Sequence, residues 1–423
     1  MIYFIIKGLL RDRHRSLLPI LVISLGVMLT TFMYGYLQGV FGDIIATSAK
    51  LDTGHVKIMT KDYAEISKQI PNDFAIQKLS DVTENLEKDF DINWVPRIRF
   101  GGLLDIPDEN GETRSQGPIM GIGIELLSPQ SGEIERFDLN NAIIEGRLPT
   151  SQGELLISSE LKRNLEVALG DTATIIGGTA TGSMAIHNFT VVGIFHYGMP
   201  ALDRNMVFAD IADIQYALDM ENASGELLGF FDLGYYDFKV AQTTKARFQQ
   251  KARTDGESNP LTMVLLSEQG GFGDYFALAE VYIVVIIGAM ILVMVVVLWN
   301  AGLMSGLRRY GEIGVRLAMG ESKGEIVRWL IYEALVIGII GSTIGTMIGM
   351  GFCYYMQEIG FDISDMMQAS TIMMSPTLRA EVTLEGFFIG FIPGIVSIVI
   401  GTALAGIGVY KRSTASLFKE LEV

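Results

Sequence analysis

The sequence predicts an α-helical membrane bundle of four transmembrane helices that carries an extracytoplasmic α+β domain between helices 1 and 2. Three observations lead there. Four stretches, 17–37, 281–304, 329–356 and 386–410, are long, apolar and nearly free of charge. A hydrocarbon core about 30 Å thick needs about 20 such residues in a helix, and each stretch supplies them. Charge is also unevenly placed. The 423 residues hold 32 Lys+Arg against 48 Asp+Glu, a net charge of -16, and residues 40–275 alone hold 19 basic and 35 acidic residues. The whole deficit therefore lies in one water-compatible block. Inside that block, short runs alternate between apolar and polar residues, as half-buried strands do.

Composition narrows the class further. A chain that is 49% hydrophobic and 19% charged, with a mean hydropathy of +0.35, is not disordered. It offers no basic footprint, so nucleic acid is not a partner. Its single cysteine, Cys353, excludes an intramolecular disulfide and a cysteine-based metal cluster.

In chain order, residues 1–16 form a cytoplasmic amphipathic lead-in with Lys7, Arg11, Arg13 and Arg15. Transmembrane helix 1 follows at 17–39. Its apolar core exceeds the 7–15 residues of a signal peptide and no A-x-A site follows it, so it is expected to stay as an anchor. The helix is expected to continue to about Lys50. Strand-like runs occupy 55–59, 95–106, 119–124, 154–158, 172–176, 189–196 and 206–209. Helical patterns occupy 81–89, 159–165, 211–220 and 243–253. The block 40–275 therefore reads as a mixed domain, in two subdomains. Gly270, Gly271 and Gly273 suit either a hinge or a plain connector. Transmembrane helix 2 (281–304), a cytoplasmic segment (305–328), helix 3 (329–356), a short outer loop (357–385), helix 4 (386–410) and a cytoplasmic tail (411–423) complete the chain. Pro393 is expected to kink helix 4. Arg308, Arg309, Arg316, Lys323 and Arg328 lie between helices 2 and 3, and Lys411, Arg412 and Lys419 follow helix 4. The positive-inside rule then puts both termini and the 305–328 segment in the cytoplasm.

Chemical motifs are sparse. No Gly-Lys dipeptide occurs, which rules out a Walker A phosphate loop in this sequence. The four histidines have no metal-ligand spacing. Gly320-Glu321-Ser322-Lys323-Gly324 matches G-x-S-x-G, yet that motif needs a preceding strand and a downstream histidine, and no His follows His196. Catalytic, cofactor-binding and metal residues are all expected to be absent. Instead, Gly341, Gly345 and Gly349 repeat at four-residue spacing in helix 3, and Gly386, Gly390 and Gly394 do so in helix 4. Such faces let helix backbones approach closely, which serves packing within the chain and dimerisation equally well. The cytoplasmic segment keeps Ile313, Val315, Leu317, Met319 and Ile326 and calls for an apolar partner. Its Gly320 breaks it into a helix-turn-helix.

That segment, Arg308-Arg-Tyr-Gly-Glu312-Ile313-Gly314-Val-Arg316-Leu-Ala-Met-Gly320-Glu321-Ser322, running on to Ile326, resembles the coupling segment of MacB/FtsX-type permeases of ATP-binding-cassette (ABC) systems. The likeness extends along the chain. Asp52-Thr-Gly54-His55-Val56-Lys-Ile58, Val95-Pro96-Arg97, Met120-Gly121-Ile-Gly123, Glu145-Gly146-Arg147 and Val191-Val-Gly193-Ile-Phe195 are similar to runs of lipoprotein-releasing (LolC/LolE-like) permeases. Leu317 before Ala318 and Gly320-Glu321-Ser322 depart modestly from the family pattern.

The resemblance implies a porter-like outer domain with an inserted subdomain, and a multi-pass subunit of a bacterial inner membrane that lacks its own ATPase. It implies a cytoplasmic ABC ATPase dimer as partner, holding ATP and Mg, with no cofactor on this chain. It also implies a second permease copy or paralogue, a periplasmic carrier or adaptor, and a lipid or lipoprotein cargo. Arg308, Glu312, Ile313, Gly314, Arg316, Gly320, Glu321, Ser322 and Ile326 would receive the ATPase. Ile20, Ile23, Val27, Val284, Met290 and Met294 would line a cargo cavity. Extraction of lipoproteins from the inner membrane is the expected role. A MacB-like export pump and an FtsX-like transducer acting on a cell-envelope partner share the topology.

Overall fold

The computed structural model describes residues 13–232, 236–255, 260–269, 272–308, 315–363 and 375–411. The chain divides into a helical unit (1–41, 277–361 and 378–423) and a sheet unit (42–276 and 362–377).

Among the described residues, four helices are long and apolar enough to cross a membrane. They are α1 (Arg13–Ser48), α2 (Phe272–Arg308), α3 (Lys323–Ile359) and a fourth in two pieces, α4 (Leu384–Ile389) and α5 (Phe391–Lys411). The break lies at Gly390. A proline ring clashes with the carbonyl four residues before it, which for Pro393 is that of Ile389, so the expected kink becomes an interruption. Of the glycines expected at the sheet-unit end of α2, Gly270 and Gly271 lie outside the described residues.

The two glycine stripes are occupied within the chain. A Cβ on Gly341 would stand 2.9 Å from the Cβ of Ile23, and one on Gly345 would stand 2.8 Å from that of Val27. One on Gly349 would stand 2.9 Å from the Met28 carbonyl oxygen. The hydroxyl of Ser24 donates to the Gly341 carbonyl at 3.1 Å, a contact only a side-chain-free backbone allows. Gly390 lies against Thr31 and Val27, Gly394 against Ser342 and Val27, and Gly386 at ordinary distance from Met350. Of the two roles the sequence left open, packing inside the chain uses these faces. Ile23, Val27, Met294, Leu298, Ala334, Ile337 and Ile398 form the core of the helical unit.

Among the described residues, the main sheet of the sheet unit has ten strands: β1 (Val56–Thr60), β2 (Asn93–Pro107), β3 (Thr113–Ile124), β4 (Ile143–Gly146), β5 (Glu154–Ser158), β6 (Thr172–Gly178), β7 (Met184–Phe195), β8 (Met206–Asp210), β9 (Glu226–Phe230) and β10 (Leu261–Leu265). Their order is β10-β1-β9-β2-β3-β8-β5-β7-β4, with β6 pairing both β2 and β7. β6 thereby closes β2, β3, β8, β5 and β7 into a ring. The two-residue side-chain period sorts its residues. Leu155, Ile157, Val207, Ala209, Phe189, Val191 and Ile119 share one core, while Leu156, Met206, Phe208, Phe195, Ile122 and Ile124 share another. A third core lies under β1, β9 and β10, covered by the helices Leu79–Asp89 and Phe238–Asp255 through Leu79, Leu86, Ala241 and Phe248.

The two subdomains expected from the sequence turn out to share a strand. Residues 93–97 of β2 pair with β9, and 102–105 pair with β6. A fifteen-residue strand belongs to both assemblies, so they form one unit.

Candidate functional site

Two constructions stand out in the chain. The first is the turn between α2 and α3. Glu312, Ile313 and Gly314 lie outside the described residues, and Arg308 is the last residue of α2. From Val315 the chain makes one helical turn that stops at Gly320. There the amide of Glu321 donates to the Arg316 carbonyl at 3.1 Å, and the amide of Gly320 donates to the Leu317 carbonyl at 3.1 Å. This 6→1 and 5→2 pair is a Schellman stop, whose C′ residue must be left-handed. Gly320 has φ +95°. Two residues later a new helix starts under a capping box. The Ser322 hydroxyl accepts from the Glu325 amide at 3.3 Å, and a Glu325 carboxylate oxygen accepts from the Ser322 amide at 2.9 Å. Ser322 is thus a helix cap, not a nucleophile.

Apolar residues of the turn part into two groups. Ile326 is buried against Leu317 and Leu330 and holds the turn to the start of α3. Met319 is 72% exposed and Val315 52%, and Arg316 is exposed beside them. The sequence grouped Ile326 with the residues that call for a partner; its partners are within the chain, and the outward apolar surface belongs to Val315 and Met319.

The second construction is at the C-terminal end of α1. After Ser48 the helix widens into a π-turn, Ala49–Thr53, and ends at Gly54 with φ +65°. The last carbonyls of a helix lack intrahelical donors. Arg97, on β2, is fully buried and provides them: its guanidinium donates to the Leu51 carbonyl at 2.9 Å and to the Lys50 carbonyl at 2.7 Å. The same group holds both oxygens of Glu133, at 2.7 and 3.1 Å, and stacks over the Phe137 ring at 4.6 Å. Glu133, itself fully buried, is also held by Arg136 at 2.9 Å. A cation at a helix C-terminus opposes the negative end of the macrodipole, and a bidentate fork fixes its position.

A second ion cluster backs the first. Arg99 bonds Asp52 of the π-turn and Glu226 of β9, and Lys57 holds Glu226 at 2.9 Å. Burial raises the carboxyl of Asp52, but the positive charges of Arg99 and Lys57 outweigh it and hold the group down at about 2. The same two cations keep Glu226 below its usual range despite complete burial. Beside them, His55 is pushed down to about 4 by burial and by the positive charges of Arg136 and Lys50. Its Nδ1 accepts from the Phe231 amide at 2.9 Å, so the neutral ring carries its proton on Nε2.

The expected cargo-lining residues fall into two groups in the structure. Ile23, Val27 and Met294 are buried in the helical core, and a Cβ on Gly26 would fall on the Met294 sulfur. α1 and α2 are closely packed at that point. Ile20 and Met290 are half-buried, and Val284 is 70% exposed on a surface of α2 shared with Val281, Val285 and Leu292.

Two family models match the chain. One, described as the MacB-like periplasmic core domain, matches residues 16–252, and one described as FtsX-like permease C-terminal matches 284–414. The lipoprotein-releasing system transmembrane protein LolC of Xylella fastidiosa (strain 9a5c) is 23% identical over 220 residues, which is 50% of this chain and 50% of that one. A probable export ATP-binding/permease protein MacB of Pseudomonas entomophila (strain L48) is 21% identical over 410 residues, 91% of this chain and 55% of that one. The macrolide export ATP-binding/permease protein MacB of Psychrobacter arcticus is 32% identical over 96 residues, 22% of this chain and 14% of that one. The chain thus spans about half the length, or less, of the curated relatives it matches. Among solved structures, the periplasmic region of MacB from Actinobacillus actinomycetemcomitans is similar at 15% identity over 53% of this chain and 94% of that one, with a TM-score of 0.34.

Proposed function

This chain belongs to the family of ABC-transporter permeases that combine a MacB-like periplasmic core domain with an FtsX-like C-terminal part, and from that premise we propose that it transmits the work of a separate ATPase to an outer domain. In this reading the sheet unit stands outside the inner membrane and both termini lie in the cytoplasm. A cytoplasmic ATPase dimer, holding ATP and Mg, docks on the turn after α2. Val315, Arg316 and Met319 meet it. Gly320, Glu321 and Ser322 set the angle of the turn, and Ile326 ties that turn to α3. Arg308, Glu312, Ile313 and Gly314 complete the docking segment. A second permease copy or a paralogue covers the exposed face of α2 around Val284, and cargo enters between the two.

The observation that carries this reading is the continuity of α1 with its clamp. A helix of 36 residues runs on into the π-turn 49–53, whose Lys50 and Leu51 carbonyls are held by a buried arginine of the sheet. A helix gripped in that way moves a sheet rather than fraying from it. The cargo proposed is a lipoprotein or another lipid-anchored molecule, released toward a periplasmic carrier. The match over 91% of the chain to a protein named for export favours export through an adaptor as the second reading.

Native mass spectrometry of the complex, purified with its ATPase, separates the two. Co-purified triacylated protein supports extraction. A complex free of acylated protein that carries a periplasmic adaptor supports export. A complex with neither, bound to a cell-wall hydrolase, would replace both with signalling.

A further inference from the structure

Beside the clamp the sheet unit holds a cavity of about 280 Å³. Ala46 and Lys50 of α1 and its π-turn form one wall, and His55, Arg136, Phe230 and Tyr236 form others. Phe230 is nearly buried, and the Arg136 guanidinium stacks over its ring at 4.2 Å. The His55 ring packs edge-on against Phe230, with centroids 5.6 Å apart. The walls are thus largely aromatic, and Lys50, Arg136 and His55 bring donors to them beside Asn93 and Asp232.

Those donors are partly unspent. His55 is 5% exposed. Its Nδ1 is used by the Phe231 amide, and its Nε2–H has no partner among the described residues. Arg136 has five N–H donors, and its bonds run to the Ser131 carbonyl, Glu133 and Asn93, which fixes the guanidinium while leaving donors over. Lys50 is exposed and forms no ion pair among the described residues. Against these stands one carboxylate at the rim, Asp232.

A helix C-terminus is ordinarily a poor place for an anion, because its carbonyls carry partial negative charge. Here Arg97 occupies the Lys50 and Leu51 carbonyls, so the cations are not cancelled by the helix they sit on. Burial, and after it the positive charges of Arg136 and Lys50, pushes His55 down to about 4. The volume is below that of a drug-sized pocket, about 300–1,000 Å³, and suits a headgroup rather than a whole amphiphile.

We propose that this cavity binds the phosphate headgroup of an anionic amphiphile, with Lys50, Arg136 and the Nε2–H of His55 as donors and Phe230 and Tyr236 as walls. The site stands independently of which cargo the transporter moves. Phosphate esters reach it from two sources, a membrane phospholipid or a soluble phosphate. Ala46 and Lys50 belong to the same continuous stretch that leaves the apolar run 17–37, which favours the lipid.

The test uses the full-length chain in neutral detergent, titrated calorimetrically with dihexanoyl-phosphatidylglycerol, dihexanoyl-phosphatidylcholine and glycerol 3-phosphate. Saturable one-to-one binding of the anionic lipid, at least tenfold tighter than the zwitterionic one, is expected. Lys50→Gln, at an exposed position that does not threaten folding, should weaken it at least fivefold. His55→Phe should weaken it similarly, and Asp232→Asn should tighten it. Glycerol 3-phosphate binding as well as the lipid would make a soluble phosphate the ligand of the same site. Equal binding of both lipids, or affinity within twofold of wild type in folded Lys50→Gln and Asp232→Asn, overturns the proposal.

Discussion

Arg97→Met is the substitution that probes the α1 clamp most sharply. Methionine keeps most of the aliphatic stem and removes the guanidinium. The loss includes a bidentate pair to Glu133 at 2.7 and 3.1 Å and two bonds to helix-end carbonyls at 2.9 and 2.7 Å. Truncating one partner of a buried pair typically costs about 3–5 kcal/mol, because the other charge is stranded. Glu133 retains Arg136 at 2.9 Å, so the lower end of that range applies, about 3 kcal/mol. At 1.36 kcal/mol per factor of ten, this is about a hundredfold in a local opening equilibrium. Amide hydrogen exchange reads it directly. The Gly54 amide, bonded to the Ala49 carbonyl at 2.8 Å, and its neighbours 51–55 should exchange about a hundredfold faster in Arg97→Met. Amides of the ring strands should stay within a few-fold of wild type. Arg97→Met with Glu133→Gln should recover part of the loss, because the stranded carboxylate is gone. Protection at 51–55 unchanged within threefold would refute the clamp.

Three further substitutions follow from the packing and the charges. Gly345→Leu forces side-chain atoms onto Val27 and the Ser24 carbonyl, so the melting temperature in detergent should fall by several degrees, in keeping with overpacking costs of about 1–3 kcal/mol. Gly351→Leu, on the same helix with open space at its Cβ, should not lower it. His55, held down at about 4 against an ordinary 6.5, is neutral in the folded protein, and the unfolded chain binds its proton more tightly. Its contribution is therefore complete above pH 6.5 and is lost as pH falls from 6.5 toward 4, by up to about 3 kcal/mol. Melting curves across that window should flatten in His55→Phe; a slope equal to wild type would assign the pH dependence elsewhere. Gly320→Ala, which puts a Cβ on a residue at φ +95°, should cost about 1 kcal/mol and spare the capping box at Ser322, measured as a lower melting temperature of the helical unit.

Much of this architecture is legible in the sequence, and the exceptions have physical causes. Helices 1 to 3 announce themselves by length and lack of charge, and α3 begins where Ser322 and Glu325 form a capping box. The strand at 154–158 and the helix at 159–165 agree with the structure residue for residue, because the Ser158 side chain caps the helix that follows it. β9 and β10 escape a reading by alternation. Both are five residues long, as the legible β1, β5 and β8 are, so length does not separate them; what places them in the sheet is pairing with the distant β1, which no local pattern carries. The clamp is illegible for a different reason. In Val95-Pro96-Arg97-Ile98-Arg99 both arginines read as the solvent side of a strand, yet Arg97 meets Lys50, Leu51 and Glu133, which lie 36 to 47 residues away. Periodicity along one segment carries no information about partners at that separation. The glycine stripes were visible as stripes, but only the positions of Ile23, Ser24 and Val27 show that α1 fills the first of them.

The central claim is that the turn after α2 receives an ATPase through its outward apolar surface. The chain reconstituted with its ATPase in lipid nanodiscs offers the most direct measurement, the rate of ATP hydrolysis with and without Met319→Asp. Met319 is 72% exposed and does not hold the turn together, so the variant should fold and insert as wild type does. Its charged side chain should desolvate poorly against an apolar partner, and the permease-dependent part of the hydrolysis rate should fall at least tenfold. Hydrolysis within twofold of wild type, with the variant present in the nanodisc at the same level, would contradict the account.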